Sequence, residues 1–131
     1  MSSILSTALS GLTAQTARLA VSASNVANLR STGVKPGEAP QAGEFVPQQV
    51  ALTSLEGGGV RARAVDVDPP SLRVYEPGAP DADAEGFAHR PNVDLASELV
   101  TQLDARRNFQ ANLKVIEAED ERLGELLDVI S

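Results

Sequence analysis

Pro91-Asn92-Val93-Asp94-Leu95 opens a stretch that continues to Ser131 with no further proline and a single glycine, Gly124. Leu95, Leu99, Gln102, Arg106, Phe109, Leu113, Ile116, Asp120, Leu123, Leu127 and Ile130 follow one another in alternating steps of four and three. That spacing is a heptad seam and predicts a helix over residues 92–131. Such a helix would be about 50 Å long or more, against ~10–14 residues for an ordinary globular helix. Only Gln102, Arg106 and Asp120 interrupt the apolar character of the seam. A helix with one apolar stripe is unstable alone in water, so this one requires a partner.

The other end of the chain supplies a matching pattern. Leu5, Leu9, Leu12, Thr16, Leu19, Ala23 and Val26 repeat the same steps. They predict a helix from about Ser3 to Leu29, capped by Ser2 or Ser3. Gly33 and then Pro36 stop it, one by left-handed capability and one by a fixed φ. The expected fold is mainly α: long N- and C-terminal helices paired as a coiled coil around a small β-rich, irregular middle. Residues 1–31 and 91–131 would form one discontinuous helical core, and residues 32–90 the middle. Leu5, Leu9, Leu12, Leu19 and Val26 are expected to meet Leu99, Phe109, Leu113, Ile116 and Leu123.

The first helix is built from small residues. Thr7, Ala8, Ser10, Gly11, Thr13, Ala14, Ala17, Ala20, Ser22 and Ser24 surround its leucines, and its only charge is Arg18. Helices in water normally carry a charged outer face. One without it suits close packing on several sides.

Composition narrows the class. The chain has 131 residues with 3% aromatics, which is thin for a self-sufficient core. Net charge is −7, distributed as +2 over residues 1–31, −4 over 32–91 and −5 over 92–131. An acidic chain without a basic patch is a poor partner for nucleic acid or an anionic membrane. No cysteine is present, which removes disulfides and thiolate metal sites. No apolar run approaches a membrane span, and the start lacks the positive region of a cleavable signal peptide.

Residues 32–91 hold all eight prolines and eight of the ten glycines, which excludes helix over most of that span. Glu44–Ser54, Val60–Asp68 and Ser71–Glu76 are expected strands, with Gly57-Gly58-Gly59 connecting the first two. Residues 34–43 and 77–90 read as loops.

Candidate chemistry is sparse. Asp81-Ala82-Asp83-Ala84-Glu85-Gly86 resembles the front of a calcium loop. Its twelfth position is Asn92, which cannot give the bidentate carboxylate, so the segment reads as an acidic surface loop. His89, the only histidine, lies in no nucleophile motif. The Gly57–Gly59 run lacks the lysine and the strand-to-helix context of a phosphate loop. Neither catalysis nor a cofactor or metal is expected. Asn25 and Asn28 stand late in the first helix, where asparagine serves either to end a helix or to bond neighbouring helices.

Leu9-Ser10-Gly11-Leu12 followed by Ser22-Ala23-Ser24-Asn25-Val26-Ala27-Asn28 resembles the N-terminal signature of the bacterial flagellar rod, hook and hook-associated proteins. Pro91-Asn92-Val93-Asp94, Glu98-Leu99-Val100 and Arg107-Asn108-Phe109-Gln110-Ala111-Asn112 resemble the C-terminal signature. Leu72-Arg73-Val74-Tyr75-Glu76-Pro77-Gly78 with Asp81-Ala82 is similar to the proximal rod members, as is the chain length. Residues 30–56 follow the pattern less closely. The resemblance implies a structural subunit, exported without cleavage by the flagellar type III apparatus. It would assemble with other rod proteins and copies of itself into a helical tube across the periplasm. That tube transmits torque and encloses the export channel. The expected assembly interface comprises the leucine-seam residues above with Asn25, Asn28, Asn108, Gln110 and Asn112. Two rival readings are a helical-hairpin binding module, such as an export adaptor or chaperone, and a small hydrolase using His89 or the acidic loop.

Overall fold

A computed structural model describes residues 3–130 of the chain. Ser2 as a helix cap and the side chain of Ile130 as a seam position lie outside the described residues. The element order is α1 (Ser3–Ala27), β1 (Thr32–Gly33), β2 (Glu44–Phe45), β3 (Gln48–Ser54), β4 (Val60–Asp66), β5 (Ser71–Tyr75), β6 (Phe87–Pro91) and α2 (Leu95–Ile130).

The helices start and stop for local reasons. Asp94 caps α2: its Oδ1 accepts the Ala96 N–H at 2.9 Å and the Ser97 N–H at 3.4 Å. At the end of α1, Asn28 donates to the Ser24 carbonyl at 2.9 Å and accepts from the Ser31 hydroxyl at 3.1 Å. The hydroxyls of α1 bond back into their own helix, Thr13 to the Leu9 carbonyl and Thr16 to that of Leu12, both at 3.0 Å. An uncharged helix surface is thereby satisfied without solvating charges.

The two helices lie against each other in opposite directions. Ser22 of α1 meets Glu98 near the start of α2, while Gly11 meets Asn112 at the middle of α2. Between them in sequence lie three small sheets of two strands each. β3 and β4 form an antiparallel hairpin in register from Gln48↔Asp66 to Ser54↔Val60. It packs along α1 through both strands. Its tip is docked: the Val60 N–H donates to Ser10 Oγ at 3.1 Å. Gly59 at φ +90° lies so close to α1 that a Cβ there would meet Ser10 Oγ at 2.5 Å. The glycine run is therefore a close-approach device and more than a flexible connection.

The expected strand Glu44–Ser54 is broken at Val46-Pro47. Pro47 has no N–H for the ladder, and its buried ring sits where β2 turns into β3. β2 pairs instead with β1 in parallel, Thr32↔Glu44 and Gly33↔Phe45. The loop expected over 77–90 contains a strand. Residues Phe87–Pro91 form β6, antiparallel to β5 from Ser71↔Pro91 to Tyr75↔Phe87. Pro91 at its end and the short length masked it. Tyr75 and Phe87 meet edge to face with centroids 5.3 Å apart, and the Arg73 guanidinium stands 4.2 Å above the Phe87 ring.

The loop joining β5 to β6 is acidic but its carboxylates are engaged. Asp81 and Glu76 both bridge Arg90 at 2.7 Å, and Thr32 donates to Asp81 at 3.0 Å. Asp83 and Glu85 bridge Arg73. Among the described residues no helix is long and apolar enough to cross a membrane.

Candidate assembly interface

The surface between α1 and α2 is made of small and polar side chains. Ala8, Gln15, Ser22 and Asn25 of α1 are buried, with Gly11 in the same row. On α2 the row is Glu98, Gln102, Ala105, Phe109, Asn112, Ile116 and Glu119, with Ala105 fully buried. Both rows run at heptad spacing. A Cβ on Gly11 would stand 2.5 Å from Asn112 Oδ1, so the absence of a side chain there lets the Asn112 amide sit directly on the α1 backbone.

The polar groups of this surface answer one another. Gln102 Nε2 donates to Ser22 Oγ at 3.1 Å, and Ser22 Oγ donates to the Glu98 carbonyl at 3.2 Å. Asn25 Nδ2 donates to Glu98 Oε1 at 2.6 Å and to the Gln48 carbonyl at 2.7 Å. The Gln48 N–H returns a bond to Asn25 Oδ1 at 3.1 Å. The Asn25 amide thus pairs with the first residue of β3 as a backbone strand would, and ties α1, α2 and β3 together. Buried amides without partners would each cost about 1–3 kcal/mol; here they are paired.

This corrects the leucine seam. On α1 the buried row lies one residue before the expected one at each position. On α2 it shares Gln102, Phe109 and Ile116 with the expected row. It takes Glu98, Ala105, Asn112 and Glu119 in place of Leu99, Arg106, Leu113 and Asp120. Leu99 is 50% exposed, Leu113 39% and Leu123 40%, so none of them is the buried partner of α1 that the spacing suggested. Leu9 is exposed at 55%. Leu5, Leu12, Leu19 and Val26 are half-buried along the flank of the helix pair, as are Phe109 and Ile116 within it. The physical reason is reciprocity. Gln15, Ser22, Asn25, Glu98 and Gln102 need partners once buried, and only the rotated pairing lets Ser22 and Asn25 meet Glu98 and Gln102.

The amides divide. Asn25 bonds a neighbouring helix, but one of its own chain. Asn28 terminates α1. Asn112 donates to the Asn108 carbonyl at 2.8 Å and packs on Gly11, so it serves the helix pair. The side chains of Asn108 and Gln110 are exposed. Gly11, Gln15, Ser22 and Ala105 escaped the sequence reading. Their signal was present: small or uncharged polar residues at the same heptad spacing, one position before the expected seam.

The outer surface carries what the inner one lacks. Leu95, Leu99, Val100, Leu103, Leu113 and Val115 are exposed on α2, and Leu123, Leu126, Leu127 and Val129 beyond the reach of α1. Isolated exposed leucines are ordinary, but a helix carrying them along its whole length marks an interaction surface.

His89 does have a serine beside it, with Nδ1 3.2 Å from Ser71 Oγ. Ser71 is buried and its hydroxyl donates to the Val34 carbonyl at 2.5 Å. The oxygen therefore accepts from Nδ1–H and neither reaches a substrate nor offers its proton to the imidazole. The pair packs Gly33 against β5, where a Cβ would meet Ser71 Cβ at 2.7 Å.

Two family models match the chain, one described as flagella basal body rod protein over residues 5–34 and one as flagellar basal body rod FlgEFG protein C-terminal over residues 84–129. They cover α1 and α2, the two elements that present these surfaces. The chain is 44% identical to the flagellar basal-body rod protein FlgC of Yersinia enterocolitica, over 82% of this chain and 81% of that protein. It is 33% identical to FlgC of Agrobacterium fabrum over 92% and 88% of the two chains. Against FlgC of Bacillus subtilis it is 31% identical over 95% of each. A helix pair with a polar inner seam and an apolar outer face, matched at both ends and along most of its length by rod proteins, belongs to the family of flagellar basal-body rod proteins.

Proposed function

We propose that this chain is a structural subunit of the proximal flagellar rod. Its terminal helices, residues 1–31 and 91–131, pair as a coiled coil and form the assembling unit. The short-stranded middle, residues 32–90, braces that unit from one side. Other rod proteins and further copies of the chain cover the outward leucines and build a helical tube. The tube encloses the export channel and carries torque across the periplasm, and the subunit reaches it through the flagellar type III apparatus with its N-terminus uncleaved.

The observation that carries this reading is the inversion of the helices. Small polar residues face inward, and Leu99, Leu103 and Leu113 face outward. A finished monomer would bury the leucines first, because each fully buried one contributes about 1.5–3 kcal/mol. A subunit of a larger body leaves them for its neighbours. An adaptor or chaperone made of a helical hairpin is not favoured, since the relatives matched along most of their length are rod proteins. A hydrolase is not favoured either, because Ser71 is buried and engaged and the acidic loop is held by two arginines.

The test is complementation. A motile bacterium lacking its own proximal rod gene, supplied with this chain or a host-adapted version, should regain rods in isolated basal bodies and swim. Folded, expressed protein that leaves the basal bodies rodless would refute the assignment.

A further inference from the structure

We propose that the C-terminal end of α2 is a docking helix whose socket is a groove on a second copy of this chain. The inference rests on the assembly reading above and names the contact. Gly11 lies against Asn112, so in opposed helices Ser3 stands level with about residue 120. The last ten described residues of α2, about 15 Å, therefore project past α1. Residues 120–129 are all exposed. They carry Leu123, Leu126 and Leu127 at i, i+3 and i+4, the spacing by which a helix lays side chains into a groove.

A groove of matching character exists between α1 and the β3–β4 hairpin. It is open, holds about 590 Å³, and is lined by Leu5, Leu9, Ala14, Leu55 and Val60 with Ile116 at its edge. Charge selects the occupant. Arg61 stands on the rim and Arg63 is exposed two residues along the same strand. The projecting helix exposes Asp120, Glu121 and Glu125, and its one base, Arg122, is bonded to Glu119 at 2.8 Å. An acidic leucine-bearing helix fits a basic-rimmed apolar groove.

The helix cannot fill the groove of its own chain. Ile116 already borders that groove, and α2 runs unbroken from it to Ile130. Leu123 lies about 10 Å further along the axis. The contact is therefore heterologous, with a free donor at one end and a free groove at the other, and successive copies form an open chain.

The test uses two full-length variants at exposed positions, Leu127→Asp in the donor and Leu55→Asp in the groove, each checked for unchanged helicity. Sedimentation of the wild type should show association that grows with concentration. Each variant alone should lose at least tenfold in association constant. An equimolar mixture should form a one-to-one pair and stop, because it contains one intact donor facing one intact groove. Arg61→Glu should weaken wild-type association several-fold. A wild type that stays monomeric, a variant that associates like wild type, or a mixture that forms no pair would each overturn the docking. If those results come with wild-type complementation of a rod-deficient strain, the docking falls and the rod assignment stands. If the wild type complements nothing, the assignment itself fails.

Discussion

Asn25 is 3% exposed at the junction of α1, β3 and α2, with its amide bonded to the Gln48 backbone twice and to Glu98 once. Asn25→Ala removes three bonds and leaves Gln48 and Glu98 without those partners. The expected loss is about 1–3 kcal/mol, seen as a lower urea midpoint with unchanged slope. Asn28→Ala, at a helix end, should cost about 1 kcal/mol or less, by analogy with caps. Equal effects would mean that the junction contributes no more than a cap. Asp81 provides a second residue-scale test. Its bond from Arg90, aided by Thr32, holds its carboxyl down from 3.8 to about 2. The Phe87 N–H, with Arg73, moves Asp83 in the same direction. A carboxylate with a depressed folded-state pKa stabilises above its ordinary value and loses that contribution as pH falls from about 4 toward 2. Tyr75, the only tyrosine, packs on Phe87 in this hairpin, so its fluorescence should change across that window. Asp81→Asn should flatten the change, leaving only the part due to Asp83. An identical profile in the variant would show that the Arg90 bridge is not what the acid breaks.

At the scale of the element, the helix pair turns on which face looks inward. Ala105→Asp puts a carboxylate where nothing is exposed, at a cost of several kcal/mol if unpaired. Leu99→Asp places the same group on a half-exposed position. The first variant should lose helical circular dichroism in the isolated chain. The second should leave it nearly unchanged and lose incorporation into rods. A leucine seam predicts the reverse ranking, so the pair of variants decides between the two faces. Both terminal helices were legible in the sequence because 3-4 periodicity and the prolines around them are strong local signals. The facing surface was not, because leucine and small-residue rows run side by side on both helices. Hydrophobicity favours the former, and only the tertiary bonds of Ser22, Asn25 and Gln102 favour the latter. β6 was missed for a related reason: Phe87–Pro91 becomes a strand through its ladder with β5 and has little alternation of its own. Of the interface residues named from sequence, Asn25 and Asn112 make contacts within the chain, and Leu9, Leu99, Leu113 and Leu123 stay exposed on its surface.

For the whole molecule, the question is how far one copy is ordered before it meets another. α1 is rich in serine, threonine and glycine, which lower its intrinsic helicity, and taken alone it would be weak. It is not alone. From Ser10 to Asn25 it is held by α2 on one side and by the β3–β4 hairpin on the other. Residues 120–129 of α2 are all exposed. Local stability follows buried contacts and protected backbone bonds, so the free chain should not open uniformly. Amide exchange on the isolated chain should give its slowest helical amides between Ala14 and Asn25 and between Gln102 and Asn112. Those beyond Asp120 should exchange faster by two orders of magnitude or more. Assembly should then slow the fast segment, because neighbours cover Leu123, Leu126 and Leu127 and remove its fraying. Uniform rapid exchange along α1 in the free chain would mean that the intramolecular seam does not hold it and that α1 orders only in the rod. Uniform slow exchange through residue 129 would mean that the projecting helix is stable alone, leaving assembly nothing to order there.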